Sequence, residues 1–295
     1  MNSKIILSVI FLFIIYQVSS AQVIDVHMHS YTQEDYWGVN GHPSGVTAPK
    51  TAAEHLRETI MLMNKHNIKH AVVSGSIASI KLYSAADPRF IPGYSDEEKL
   101  IPIETFEALI KDGTIKVFGE VAGIYYGRSL NDPIYAPYLA ICEKYDIPVA
   151  YHTGGGPPMT PYNCCPKFRI ALGDPLLIED VLVRYPKLRI YLMHGGEVFY
   201  EHAVRMMSMY RQLYVDLGVM LWVDPIVKSY AIDLLKRAKA AGLLDRVMFG
   251  SDQMVWPGAI SKSIEFLNNI AFLTAEEKQM ILYDNAKRFL KLPTE

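Results

Sequence analysis

Cysteine is scarce in this chain: three residues in 295, two of them adjacent at Cys164-Cys165. That excludes a disulfide framework, a thiolate zinc site built from spaced pairs and an iron–sulfur cluster. Cys142 sits in a helical pattern and reads as a buried core thiol. No histidine or basic residue stands beside Cys164 or Cys165 to depress a thiol pKa, so that pair reads as a loop stiffener, either bonded or as two thiols. An excess of one charge is missing as well. Lys and Arg number 29 against 31 Asp and Glu, which leaves no electrostatic argument for nucleic acid or an anionic membrane as partner. There is no Gly-x-Gly-x-x-Gly after the first strand-like run, and no linker, repeat or low-complexity tract.

Long apolar runs are also lacking, with one exception at the N-terminus. Met1 to Lys4 is cationic, Ile5 to Tyr16 is apolar, and Val18-Ser19-Ser20-Ala21 offers the small residues that signal peptidase reads. The apolar part is shorter than the about 20 residues of a bilayer span. Residues 1–21 are therefore expected to be a cleaved signal peptide, with the protein secreted or periplasmic and no membrane insertion afterwards. Residues 22–295 are expected to form one domain.

From Gln22 onward, short β-rich runs alternate with stretches of helical periodicity, the pattern of parallel βα units. The runs are Val23 to Val26, Ala71 to Ser74, Arg89 to Ile91, Ile115 to Val121, Pro148 to Tyr151, Leu188 to Met193, Leu213 to Leu217 and Arg246 to Phe249. Pro92 is expected to end the third. Helical patterns cover Ala52 to His66, opened by a Thr51/Glu54 capping box, then Pro102 to Lys111, Pro137 to Tyr145, Pro175 to Tyr185, Val198 to Tyr210, Val227 to Ala241 and Thr274 to Leu290. Eight doubly buried strands with intervening helices predict an α/β fold, a (β/α)8 TIM barrel, over an open doubly wound sheet.

The ends of these runs carry the chemistry. His27 and His29 close the first, Glu120 stands in the fourth, His152 closes the fifth, His194 the sixth, and Asp252 follows the eighth. In a barrel these ends converge on one mouth. Side chains on a strand repeat with period two, so His27 and His29 share a side, about 7 Å apart along an ideal strand, and local bending can bring both onto one ion. Singly, each residue has a plain structural reading: a strand-end histidine bonded to backbone, a barrel-interior carboxylate, or, for Asp252, a helix N-cap. Together they place six imidazole and carboxylate ligands in one small volume, a donor set suited to zinc and other first-row divalent ions. His42, His55, His66, His70 and His202 lie in loops or on helices and are assigned no ligand role.

The series IDVHMHS, FGEVAG, VAYHTG, LMHGG and FGSD resembles the amidohydrolase superfamily. The surrounding wording, DPRFIPG and YPKLRIYLMHGG, resembles its amidohydrolase-related branch, which includes aminocarboxymuconate-semialdehyde decarboxylase. The resemblance spans essentially all of residues 22–295. It implies a divalent-metal enzyme, mostly zinc, in which His27, His29, His152 and Asp252 match the mononuclear ligand set and His194 matches the residue beside the metal. Glu120 departs from that pattern and occupies the place where binuclear members carry a bridging glutamate or carboxylated lysine. One ion and two are both open, and Glu120 decides between them.

The leading expectation is hydrolysis of an amide, lactone or other ester, with Asp252 accepting the proton of an activated water and His194 orienting the water or protonating the leaving group. Non-oxidative decarboxylation of a carboxylated aromatic or enoic acid is the first alternative, and a catalytically silent ligand-binding barrel the second. The partner is a small-molecule substrate; a homo-oligomer is compatible with the sequence. Specificity belongs in the loops after the strands. There Trp37 and Tyr126 are candidates for stacking on a ring, beside Tyr31, Tyr36, Tyr125 and Tyr162. Arg128 and Arg169 are candidates for clamping a substrate carboxylate.

Overall fold

Runs of β-branched and aromatic residues form strands here because both of their faces are buried, and eight such strands pair side by side in parallel. The computed structural model describes residues 21–38, 41–95 and 98–293. Its strands are β1 (Val23–His29), β2 (Ile68–Gly75), β3 (Phe90–Tyr94), β4 (Val117–Val121), β5 (Val149–His152), β6 (Ile190–Met193), β7 (Leu213–Asp216) and β8 (Val247–Met248). Each pairs with the next in chain order. The seam is drawn together where Val26 N–H donates to the Phe249 carbonyl at 3.0 Å and Asp252 N–H to the His27 carbonyl at 2.7 Å. This is the TIM barrel that the spacing predicts. The expected signal peptide, apart from Ala21, lies outside the described residues. Among the described residues no helix is long and apolar enough to cross a membrane.

Pro92 does not end β3; it lies inside it, opposite Val73. The β3–β4 ladder starts only at Gly93 opposite Val117, and the Pro92 carbonyl accepts from Lys116 N–H at 2.9 Å, so the absent N–H falls before β4 begins. A helix follows every strand. Two of them, Ile77–Ala86 and Ala259–Asn268, are not announced by the periodicity. In the first, apolar residues face both ways: Ile80 and Tyr83 are buried while Leu82 is exposed, and Ser76 caps the helix by accepting from Ser79 N–H. The capping box at Thr51 is half formed. Thr51 accepts from Glu54 N–H, but the Glu54 carboxylate reaches one residue further and accepts from Lys50 N–H.

The expected helix over Thr274 to Leu290 is interrupted. A complete capping box at Thr274 opens Ala275–Gln279, a π turn follows over Met280–Asp284, and Asn285–Phe289 ends it. Within that turn the Ile281 carbonyl accepts from Phe249 N–H at 2.9 Å, just past β8. Tyr283, Ala286 and Phe289 from this segment pack on Ile24, Val72, Val117 and Tyr191 and close the lower end of the barrel. The opposite end is left for polar groups.

Candidate metal centre

Strict alternation along β1 would place Ile24 and Val26 inside the barrel and His27 outside. Ile24 and Val26 do pack in the inner cluster, but so does the His27 ring reach inward, while Met28 joins the outer layer between strands and helices. The β1–β2 register shifts between Asp25 and Met28, and this irregularity turns His27 and His29 to the interior. β4 repeats the device. Val117 faces in, Phe118 and Val121 face out, and a register shift between Phe118 and Val121 leaves Glu120 in the mouth. Gly218 and Gly250 make room for His27: a Cβ on either would lie 2.3 Å and 2.7 Å from its atoms.

His194 and Asp252 reach the mouth through left-handed backbone, φ 63° and 48°. Such conformations cost about 1–3 kcal/mol each for a residue other than glycine and persist only when neighbours hold them. His194 N–H donates to Asp216 Oδ1 at 2.9 Å, and Asp252 N–H to the His27 carbonyl.

Outer hydrogen bonds decide what the imidazoles present to the centre. His27 Nδ1–H donates to Asp216 Oδ2 at 3.0 Å, His152 Nε2–H to the Gly155 carbonyl at 2.8 Å, and His194 Nδ1–H to the Gly218 carbonyl at 3.1 Å. The inward nitrogens are therefore lone pairs, and they meet carboxylate oxygens. Glu120 Oε1 lies 2.6 Å from His152 Nδ1 and 3.4 Å from His194 Nε2; its Oε2 lies 3.5 Å from His29 Nε2 and 3.7 Å from His27 Nε2. Asp252 Oδ1 lies 2.9 Å from His29 Nε2 and 3.5 Å from His27 Nε2. His27 Nε2 is buried and has no hydrogen-bond partner among the described residues. Ring nitrogens that face carboxylate oxygens in a buried cluster need a cation between them, a proton or a metal ion, and this imidazole and carboxylate donor set fits a divalent metal. Three ligand groups converge within 4.8 Å: His27, His194 and Asp252; His27, His29 and Glu120; and Glu120, His152 and His194.

The charges answer the same geometry. Burial opposes ionisation of Asp252, but His27, His29 and His194 overcome it and hold its pKa at about 2. Burial likewise opposes charge on Glu120, and His152, His194 and His27 hold it well below the usual carboxylate range. His27 and His194 are raised against their burial, His27 chiefly by Asp252 and Asp216 and His194 chiefly by Glu120. A proton and a metal ion compete for the same lone pairs.

Sequence reasoning missed three groups. Asp216 ends β7 in LYVDLG, the same strand-end position that marked the others, and that signal was available. Gln253 accepts from His29 N–H and donates to its carbonyl, locking the backbone at that ligand. Asp25 accepts from both His27 N–H and Ser251 N–H, with burial pushing its pKa up to about 7.

A cavity of about 530 Å³ opens above the cluster. Trp37 lines it, edge-on to Trp256 with ring centres 5.5 Å apart. Tyr31 and Tyr125 line it too, and the Tyr125 ring stands 5.4 Å from His152; His42, given no role above, is a further wall residue. Tyr126, Arg128 and Arg169 are not among its lining residues. The Arg128 guanidinium sits over the Tyr126 ring and donates to the Glu98 carbonyl at 3.1 Å, and Arg169 donates to the carbonyls of Pro166 and Phe168. Cys164 and Cys165 are joined as a vicinal disulfide in the loop after β5, and Cys142 is a buried free thiol.

Solved structures with this fold include an uncharacterised TIM-barrel protein from Bordetella bronchiseptica, 22% identical, covering 92% of this chain and 98% of that one at a TM-score of 0.69. A probable 2-pyrone-4,6-dicarboxylic acid hydrolase from Acinetobacter baumannii is 16% identical, with 92% and 99% covered and a TM-score of 0.63. The 5-carboxyvanillate decarboxylase of Sphingomonas paucimobilis is 15% identical, with 93% and 100% covered and a TM-score of 0.59. At these identities the likeness concerns the fold. No curated protein sequence matches. A family model described as amidohydrolase matches residues 24–292, nearly the whole described chain and all six inward-facing ligand candidates, so the protein belongs to the amidohydrolase family.

Proposed function

We propose that this chain is a metal-dependent hydrolase of a small amide, lactone or other ester. The observation that carries the reading is the division of the acceptor cluster by Glu120, whose Oε2 faces His27 and His29 and whose Oε1 faces His152 and His194. That division supports a centre for two ions sharing Glu120, with Asp252 on the His27/His29 side and zinc the foremost metal for such donors. When bound, such ions would bring the pKa of a water toward about 7 and polarise the substrate carbonyl, the chemistry that hydrolysis of an ester, lactone or amide uses.

The chain's own residues position and move the proton. Asp252, ionised above about pH 2, accepts it at Oδ2, which lies 3.8 Å from His194 Nδ1 while Oδ1 is engaged with His29, and returns it to the leaving group. Asp216 keeps the His27 proton on Nδ1 and so keeps Nε2 aimed at the centre. His194 acts as a ligand more than as an acid, because its Nδ1–H is held by Gly218 and its Nε2 faces Glu120.

The test is turnover of a panel of lactones, esters, amides and carboxylated aromatics in oxygen-labelled water, with and without chelator. Label in the acid product, loss on chelation and recovery with zinc are expected. Carbon dioxide released without label uptake would replace hydrolysis by decarboxylation, and a tight complex that turns nothing over would leave a silent binding barrel.

A further inference from the structure

Beyond the metal cluster, the charged walls of the cavity are both acidic, Glu197 and Asp224, and no Lys or Arg is among the described residues lining it. The two arginines nearest in sequence to the mouth loops have their guanidinium groups on backbone carbonyls elsewhere. Asp224 is partly spent: its Oδ1 accepts from Ile226 and Val227 N–H at 2.8 Å and 3.0 Å, opening the helix Pro225–Ala240. Glu197 is the other acidic group.

Glu197 is held there at some expense. Its backbone lies at φ 47°, ψ −115°, outside the regions open to side chains other than glycine. Its Oε2 accepts from Gly155 N–H, and Gly154 and Gly155 give it space, since a Cβ on Gly154 would meet the Glu197 Cβ at 2.4 Å. Gly154 and Gly155 of HTGGG and the strained backbone of Glu197 thus together lay a carboxylate along the cavity wall. The Gly155 carbonyl accepts from His152 in turn, so one residue links this carboxylate to a metal-ligand candidate.

From this we infer the substrate class, building on the hydrolase reading: a ring-bearing substrate whose group facing Glu197 is a hydrogen-bond donor, a hydroxyl or an ammonium, and which carries no second carboxylate there. The aromatic walls Tyr31, Trp37, Tyr125 and Trp256 take the ring. A carboxylate in place of the donor meets Glu197 with no Lys or Arg among the described lining residues to pair with it, which lowers affinity on the order of 10-fold or more.

Binding tests this independently of turnover. Isophthalate, 3-(hydroxymethyl)benzoate and 3-(aminomethyl)benzoate each bring one carboxylate for the metal and differ in the far group, and calorimetry with the zinc-loaded protein ranks them. Isophthalate is expected at least 10-fold weaker than the other two, with the gap shrinking severalfold in Glu197→Gln, which keeps an acceptor for Gly155. Isophthalate binding as tightly as the others, or a gap unchanged in Glu197→Gln, overturns the inference. If no ester is hydrolysed while the ranking holds, the hydrolase reading fails and the selectivity stands.

Discussion

The two ends of this barrel are built from the same eight strands under opposite constraints. At the lower end Ile24, Val72, Val117 and Tyr191 meet Tyr283, Ala286 and Phe289 in an apolar plug. At the mouth the β1–β2 and β4–β5 registers shift, His194, Glu197 and Asp252 adopt backbone with positive φ, and buried imidazoles and carboxylates face each other. One end lowers the free energy of the fold, and the other stores unfavourable contacts that a bound cation relieves. The difference shows how a fold divides stability from chemistry along a single axis.

That division breaks if substitutions at one end produce the effects assigned to the other. The largest effect is expected from Glu120→Gln, which removes the carboxylate shared by both halves of the cluster. kcat/KM should fall by about 10²–10⁴-fold or more with bound metal reduced. Steady-state kinetics and metal analysis check the two parts. Phe289→Ala is its counterpart. It should cost about 3–5 kcal/mol of unfolding free energy in denaturant titration and leave kcat/KM per folded molecule unchanged.

Asp216→Asn sharpens the comparison, because Asp216 is not among the cavity-lining residues and holds His27 Nδ1 and the His194 N–H. About 10- to 100-fold weaker metal binding is expected in competition with a chromogenic chelator. A loss confined to stability would move Asp216 to the structural side.

The pH dependence of metal binding gives the smallest effect per step. His27 and His194 have raised pKa values and lose their protons when an ion binds, whereas Asp252, held at about 2, is already ionised. Affinity should therefore fall as pH falls through the histidine range, by about tenfold per unit for each proton displaced, and level off at higher pH. A flat profile between pH 5 and about 8 would show that protons and metal do not share these nitrogens.

Much of this was legible in the chain because it depends on short-range rules. Doubly buried β-rich runs spaced by helices imply parallel strands, and a polar residue at the end of such a run implies the mouth. What sequence reading lost depends on neighbours far along the chain. Pro92 is tolerated inside β3 because β4 starts late. Asp216 ends its strand as visibly as His194 does, but its partners are His27, His194 and Gly218, on β1 and in the turns after β6 and β7.

The sequence by itself determined the barrel and the six residues that meet at its mouth, since strand order and side-chain type carry that information. Only the tertiary structure decided that His27 and Glu120 turn inward, that Glu120 stands between two pairs of histidines, and that an acidic wall rather than Arg128 or Arg169 faces the cavity. Those outcomes rest on register shifts and backbone conformations, which are set by hydrogen bonds between strands and turns far apart in sequence.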